Sequence, residues 1–242
     1  MEIAIIGTGN VGTHLVKAYA NRREIRVKGI SSRSLEGLTG NEEIWLLTVS
    51  DNAITPLAEK LSNRFPNFKG IVAHTAGSIS IEALEPYFKR NGVFYPLQTF
   101  SKDISIRDYS VIPIFIEGST KEDEMILIRL AEKVFSNVYT LTSNRRQYLH
   151  LMAVFACNFT NAMYAACEEI GSRNDIPFTT MVPLIEQTLE KVKRNKPTEC
   201  QTGPAARDDI HTIERHLELL EPYTGEKELY QLITKYIQNK IK

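Results

Sequence analysis

Cysteine is scarce. Cys157, Cys167 and Cys200 are the three in 242 residues, an odd number with no C-x-x-C pair, so neither a disulfide framework nor a zinc knuckle is indicated and the thiols read as reduced and mostly buried. No window approaches the roughly 20 uninterrupted apolar residues that a membrane-spanning helix needs. Charge of either sign is not in excess: Lys plus Arg number 29 and Asp plus Glu 29, with the balance kept on both sides of Ser143. A partner rich in phosphate, whether nucleic acid or anionic membrane, calls for a basic surplus, and neither partner is expected. The first residues lack a signal peptide's plan, because the strand-like run Glu2 to Ile6 passes straight into glycines; a cytoplasmic protein is expected. Metal-ligand spacing is missing as well. His211 and His216 lie five apart, about 140° around a helix, and there is no H-E-x-x-H, so no metal site is expected. The absence of a G-x-S-x-G elbow argues against a hydrolase.

What is present is ordinary for a globular chain, 43% hydrophobic and 24% charged, long enough for one large domain or two modest ones. The first half alternates short apolar runs with helical patterns. Ile3 to Ile6, Val27 to Ile30, Ile44 to Val49, Gly70 to Ala73, Val93 to Tyr95, Val111 to Ile116 and Val138 to Leu141 read as strands. Their near-continuous apolar character fits strands covered on both faces of a parallel sheet. Val11, Leu15 and Ala18 share one helical face; Leu57, Leu61 and Arg64 mark another helix, which ends at Pro66. This alternation predicts an α/β fold, a doubly wound and mostly parallel Rossmann sheet. After Thr142 the pattern becomes helical throughout. A long stretch from Asn144 to Ile170 is followed by helical patterns at Thr179 to Arg194, Ile210 to Leu220 and Lys227 to Ile241, punctuated by Pro197, Gly203, Pro204, Pro222 and Gly225. The expected domains are residues 1–142 for cofactor and 143–242 for substrate and dimerisation. The cations from Lys191 to Lys196 close a helix and complement its dipole.

Gly7-Thr8-Gly9-Asn10-Val11-Gly12 fits G-x-G-x-x-G, follows a strand and opens a helix. Gly7 permits the tight turn, Gly9 lets the backbone approach a pyrophosphate, Gly12 allows close helix-to-strand packing, and the helix N-terminus offers N–H groups to phosphate oxygens. A glycine turn that merely joins strand to helix would read the same way. At the end of the second strand, where a carboxylate would bind a ribose 2′-hydroxyl, stand Ser31-Ser32-Arg33-Ser34. No carboxylate occurs before Glu36, and the Arg33 fork with the Ser32 and Ser34 hydroxyls suits a 2′-phosphate, favouring NADP over NAD; the alternative is a solvated loop. Thr48-Val49-Ser50-Asp51 lies at the carboxyl end of the next strand and leads into a helix, with Ser50 or Asp51 its N-cap beside the crevice. His74, Thr75 and Ala76 begin a turn that either faces nicotinamide and substrate or only reverses the chain.

Taken in order, Gly7 to Gly12, His74-Thr75-Ala76-Gly77-Ser78, Tyr95-Pro96-Leu97-Gln98-Thr99-Phe100 and Thr202-Gly203-Pro204-Ala205-Ala206-Arg207-Asp208-Asp209 resemble a family of Rossmann-like proteins with a helical C-terminal domain of unknown function. The likeness spans nearly the whole chain, and the Pro96 to Phe100 and Gly203 to Arg207 segments are its most specific parts. The resemblance implies an NADP oxidoreductase, similar to deazaflavin-dependent NADP reductases and related to pyrroline-5-carboxylate reductase and the β-hydroxyacid dehydrogenases, with a C-terminal domain like that of 6-phosphogluconate dehydrogenase. Two positions depart from it. Tyr95 stands where the family often has His, and Asp208 where it often has Gly.

A hydride transfer to a carbonyl or imine needs a proton donor near the developing anion. His150, near the start of the long helix, is the candidate. On an α-helix Asn161 falls within about 20° of it and Asn158 about 80° away, so one helix would present His150 and an amide to a crevice. A buried histidine with satisfied hydrogen bonds, or one at a dimer contact, fits the same sequence. In related β-hydroxyacid dehydrogenases this helix offers a Lys and an Asn, so the resemblance implies a role for the helix rather than for His150 itself. Arg207, beside the Gly203-Pro204 turn, suits a carboxylate or phosphate, or else pairs with Asp209; Asp208 or Asp209 caps the next helix. The expected protein is an NADP-dependent reductase or dehydrogenase of a small carbonyl, imine or hydroxyacid bound between the domains, and a homodimer through Leu151 to Cys167. The alternatives are a non-catalytic dinucleotide-binding sensor or scaffold and an NADP:deazaflavin oxidoreductase, for which nothing in the residues demands the deazaflavin.

Overall fold

The computed structural model describes residues 1–241, with the side chain of residue 241 left aside. Two compact units emerge, residues 1–157 and the described residues from 158 onward. The β-type periodicity ends at Thr142 as read from the sequence, yet the helix that follows packs with the first unit.

The first unit holds a seven-stranded sheet: β1 (Glu2–Ile6), β2 (Arg26–Ile30), β3 (Ile44–Leu47), β4 (Ile71–His74), β5 (Asn91–Pro96), β6 (Pro113–Gly118) and β7 (Asn137–Thr140), in the spatial order β2-β1-β3-β4-β5-β6-β7. The first five are parallel; β6 runs antiparallel to β5 and parallel to β7. The expected doubly wound, mostly parallel sheet is therefore present. The chain moves from β1 outward to β2, then returns to β3 on the other side of β1, which opens a crevice at the carboxyl end of β1.

Two apolar layers cover the sheet. Ile3 and Ile5 face α1 (Asn10–Ala20) and α3 (Lys121–Glu132), packing with Leu15, Tyr19, Leu127 and Leu130; Ala4 and Ile6 face α2 (Asp51–Arg64), packing with Ile54, Leu57 and Leu61. Because successive strand residues point to opposite faces, a strand covered on both must be apolar at every position, which is why these strands show no alternation. The helix α4 (Ser143–Ala153) completes the unit.

The stretch read as a single helix from Asn144 is not one. A π-helical segment, Val154–Phe159, separates α4 from α5 (Thr160–Ser172). The second unit continues with α6 (Val182–Arg194), α7 (Ile210–Leu219) and α8 (Thr224–Ile241). It buries little within itself, chiefly Ala205, Ile213, Leu220 and Tyr223, and leaves Leu184, Leu189 and Leu232 exposed. The cysteines are unpaired as expected, but the expectation that they are mostly buried is corrected: Cys157 is exposed on the π-helical turn and Cys167 and Cys200 are half-buried. Single thiols on thinly covered helices have no core to enter.

Glu42 fastens the loop between β2 and β3. Its buried carboxylate accepts hydrogen bonds from Thr39 N, Thr39 Oγ1, Gly40 N and Trp45 Nε1 at 2.9–3.1 Å, and Lys28 Nζ stands 3.4 Å away. Burial opposes ionisation, yet the donated hydrogen bonds outweigh it and lower the carboxyl from an ordinary 4.5 to about 2. A depressed folded value means that Glu42 stabilises the fold fully above the unfolded carboxylate range, and that this contribution is lost as pH falls from about 4.5 through about 2. Glu42→Gln is expected to cost about 1–3 kcal/mol at neutral pH and to flatten the acid limb of stability over that window, as urea unfolding at stepped pH will measure; an unchanged acid limb would remove Glu42 from this role.

Candidate functional site

The crevice begins where β1 ends. Gly7 has φ +127°, and a Cβ there would lie 2.5 Å from the Thr48 carbonyl oxygen; a Cβ on Gly12 would lie 2.0 Å from Gly7 O and 2.5 Å from Thr48 Oγ1. Both glycines are required by the chain's own packing. Thr48 completes the contact by donating its hydroxyl to Gly7 O at 2.9 Å. Gly9 is different. Its φ of −73° suits any residue, and a Cβ would meet nothing closer than Thr48 O at 3.9 Å. Nothing inside the described fold demands a glycine there, and the open face leaves the backbone at Gly9 accessible. Gly9 precedes α1, whose N-terminus carries no side-chain cap and no acidic residue in its first turn, leaving N–H groups for an anion.

A pocket of about 520 Å³ opens on this turn, lined by Gly7, Thr8, Gly9, Ser31, Ser32, Arg33, Thr48, Val49, Ser50, Ala53 and Lys102. It joins three segments picked out from the sequence: Gly7 to Gly9, Ser32 with Arg33, and Val49 with Ser50. No carboxylate is among these linings. Asn10, Val11 and Gly12 continue into α1, and Ser34 turns to its own loop, where its hydroxyl accepts from Glu36 N at 3.3 Å. The Ser31 to Ser34 loop is held from α2: Lys60 Nζ donates to Arg33 O at 2.7 Å and Arg64 to Ser34 O at 3.3 Å. Arg33 thus has a fixed backbone and an exposed side chain. Lys102 was not singled out in the sequence; it sits in a stretch whose lining role arises only from tertiary approach.

The turn after β4 spends its polar groups within itself and on the neighbouring β3 and α2. His74 is fully buried, accepts from Ala76 N at its Nδ1 (3.2 Å) and donates from Nε2 to Ser80 O (3.3 Å). Burial, helped by the Arg146 charge, lowers its pKa to about 4, so the imidazole is neutral. Thr75 Oγ1 donates to Leu47 O at 3.3 Å, and Ser78 Oγ donates to Asp51 at the start of α2.

Above this turn stands His150. Its Nδ1 is 3.1 Å from the Tyr95 hydroxyl, and the rings meet edge to face. A Cβ on Gly77 would fall 2.5 Å from His150 Nδ1 and 2.8 Å from Tyr95 Cζ, so glycine makes the room in which the pair forms. Burial raises the Tyr95 hydroxyl above its ordinary pKa, a shift partly offset by Arg146, and keeps it a neutral O–H. The pair leaves His150 Nε2 to meet another group. Beneath it a second cluster fixes α4. Arg146, fully buried, donates to Glu117 Oε2 and to Ile79 O, both at 2.5 Å, and to Ser143 Oγ at 3.0 Å, while Ser143 N and Oγ donate to the two Glu117 oxygens at 2.9 and 2.6 Å. Nothing in the local sequence singles out Arg146; only the approach of β6 reveals the ion pair.

The remaining candidates lie in the second unit. Asn158 and Asn161 are exposed, and because the π-helical turn advances by fewer degrees per residue than an α-helix, the wheel that aligned them with His150 does not carry across it. Arg207 is exposed. Asp209 caps α7, accepting from Thr212 N at 3.1 Å. Asp208 has φ +51° and accepts from Gln238 Nε2 at 3.0 Å, which accounts for the departure from Gly: the position needs the left-handed region, where Asp is among the tolerated residues.

The family profile of a domain of unknown function, DUF2520, matches residues 112–237. Among solved structures, a protein provisionally described as an NADP oxidoreductase, from Bacteroides fragilis, is 34% identical with a TM-score of 0.85, and the alignment covers 98% of each chain. A protein from Thermotoga maritima is 20% identical (TM-score 0.76, 99% of each chain), and a pyrroline-5-carboxylate reductase from Coxiella burnetii is 16% identical (TM-score 0.54, covering 99% of this chain and 96% of that one). The last two share the fold. Among curated proteins none matches.

Removing the Arg146 guanidinium strands the Glu117 carboxylate, so Arg146→Ala is expected to cost about 3–5 kcal/mol of unfolding free energy in urea. Gly77→Ala should keep most of that stability yet break the Tyr95–His150 contact, read as a changed His150 side-chain resonance in ¹⁵N NMR; an unmoved resonance would contradict the packing described.

Proposed function

The chain belongs to the DUF2520 family, and on that premise we propose that it is an NADP-dependent reductase or dehydrogenase acting on a small carbonyl, imine or hydroxyacid. The observation that carries the reading is Gly9, a glycine without an internal steric reason, at the uncapped start of α1 and in one pocket with Arg33. A pyrophosphate is the kind of group that needs backbone so close. The Arg33 fork with Ser31 and Ser32 suits a 2′-phosphate, and the absence of a lining carboxylate removes the usual partner of a free 2′-hydroxyl. The name of the Bacteroides fragilis relative points the same way.

Bound nicotinamide would supply the hydride; the chain's residues bind, orient and move a proton. His150, braced by Tyr95 at Nδ1, presents Nε2 as the proton donor to the oxygen or nitrogen that gains negative charge. Arg146 holds the α4 backbone that carries His150. Asn158, Asn161 and Arg207 stay as substrate-binding candidates from the sequence. The exposed Tyr148, Leu151 and Met152 of α4 support pairing of two copies of the chain.

Fluorescence titration tests this. NADPH is expected to bind more tightly than NADH, with Arg33→Ala weakening NADPH by about 10- to 100-fold while leaving NADH nearly unchanged, and Gly9→Asp abolishing both. Binding of neither nucleotide by the wild-type chain would end the oxidoreductase reading. Against a substrate found by screening, His150→Ala should lower kcat by about 10²- to 10⁴-fold with nucleotide affinity unaltered; an unchanged kcat would move the proton donor elsewhere. Full nucleotide affinity with no turnover on any carbonyl or imine would favour the sensor or scaffold alternative.

A further inference from the structure

The segment from Leu97 to Ile112, between β5 and β6, contains neither helix nor strand. Irregular connections of this length inside a compact unit commonly carry function. Its course is fixed by a buried histidine that the chemistry above does not use. His14, on α1 and five residues after Gly9, is fully buried. Its Nε2 donates to Ser101 O at 2.8 Å, its Nδ1 lies 3.0 Å from the Tyr109 hydroxyl, and its ring packs on Phe100 with centroids 5.1 Å apart. Both ring nitrogens are spent on this one loop. Ile106 and Tyr109 pack against the core beneath, so the segment is tied down at Phe100, Ser101, Ile106 and Tyr109.

The residue next to the anchored Ser101 carbonyl is Lys102, and it lines the pocket that holds Gly7 to Gly9 and Arg33. Among the described residues Lys102 makes no ion pair. A helix start, an Arg and a Lys thus converge on one cavity with no acidic side chain in its lining, and the Lys arrives on backbone anchored to the same helix that opens the glycine turn.

We propose that Lys102 is a phosphate-binding residue of the dinucleotide site, and that His14 is the positioning residue that places it. This rests on the dinucleotide reading of the pocket. The ammonium acts as a point charge on a phosphate oxygen, either of the 2′-phosphate or of the pyrophosphate. In both cases the Ser101 carbonyl, held by His14, sets where the Lys102 stem leaves the backbone.

The test is titration of NADPH and NADH against wild type, Lys102→Gln, Lys102→Arg, His14→Gln and the double variant, with Arg33→Ala alongside. Lys102→Gln should weaken NADPH by about tenfold or more, with Lys102→Arg keeping most of the affinity. An effect confined to NADPH assigns Lys102 to the 2′-phosphate; an equal effect on NADH assigns it to the pyrophosphate. His14→Gln should weaken binding by a similar factor, and the double variant should bind no worse than the weaker single one, because the two act on one contact; additive losses would overturn the positioning role. Should His14→Gln fail to fold, exposed Lys102 still decides the phosphate contact. NADPH affinity unchanged in Lys102→Gln while Arg33→Ala weakens it would refute the Lys102 assignment and leave the dinucleotide reading intact. No nucleotide binding by wild type would refute both.

Discussion

The contact between Thr48 and the glycines at 7 and 12 is the constraint on which the rest of the site depends. It brings the carboxyl ends of β1 and β3 and the first turn of α1 so close that a methyl group at either glycine would collide with Thr48. The hydroxyl of Thr48 spans the junction to Gly7 O, and the sheet order places this junction where the chain reverses around β1. From it follow the direction of α1, the exposure of its first N–H groups and the open face of Gly9. A strand-to-helix turn without that contact would have room for side chains.

A second centre, around Arg146, acts differently. There a buried ion pair with Glu117 and two serine hydrogen bonds join β6 to the first turn of α4. The cost of desolvating these charges is met only because nearly every donor and acceptor is used. The result is a helix whose start is fixed, and with it the seat of His150 against Tyr95 and Gly77. His74, lying between the two centres, is kept neutral by burial and by the same Arg146, and it serves the turn's geometry instead of proton transfer.

The fold and the glycine turn were legible because both write themselves into local sequence. Strands covered on two faces must be apolar throughout, and a strand, G-x-G-x-x-G and a helix form one contiguous signal. What was illegible depends on distant approach. Nothing in the local sequence singles out Arg146, whose partner Glu117 comes from β6, or Lys102, whose neighbour Ser101 is held by His14 from α1; Tyr95, noted as a departure, gained meaning only as the partner of His150. The alignment of Asn161 with His150 assumed an unbroken α-helix, and no residue in Val154 to Phe159 announces a π-helical turn. Where the chain departs from its family at Asp208, the backbone explains it, since a left-handed position accepts Asp where it prefers Gly.

The central claim is that the turn at Gly9 receives the pyrophosphate of a dinucleotide. A crystal structure of the full chain grown with NADPH measures this most directly. The account predicts the pyrophosphate oxygens at hydrogen-bonding distance, about 3 Å, from the first backbone N–H groups of α1, over Gly9, with the 2′-phosphate beside Arg33. Nucleotide seated away from Gly9, or a pocket that stays empty at saturating NADPH, would contradict it.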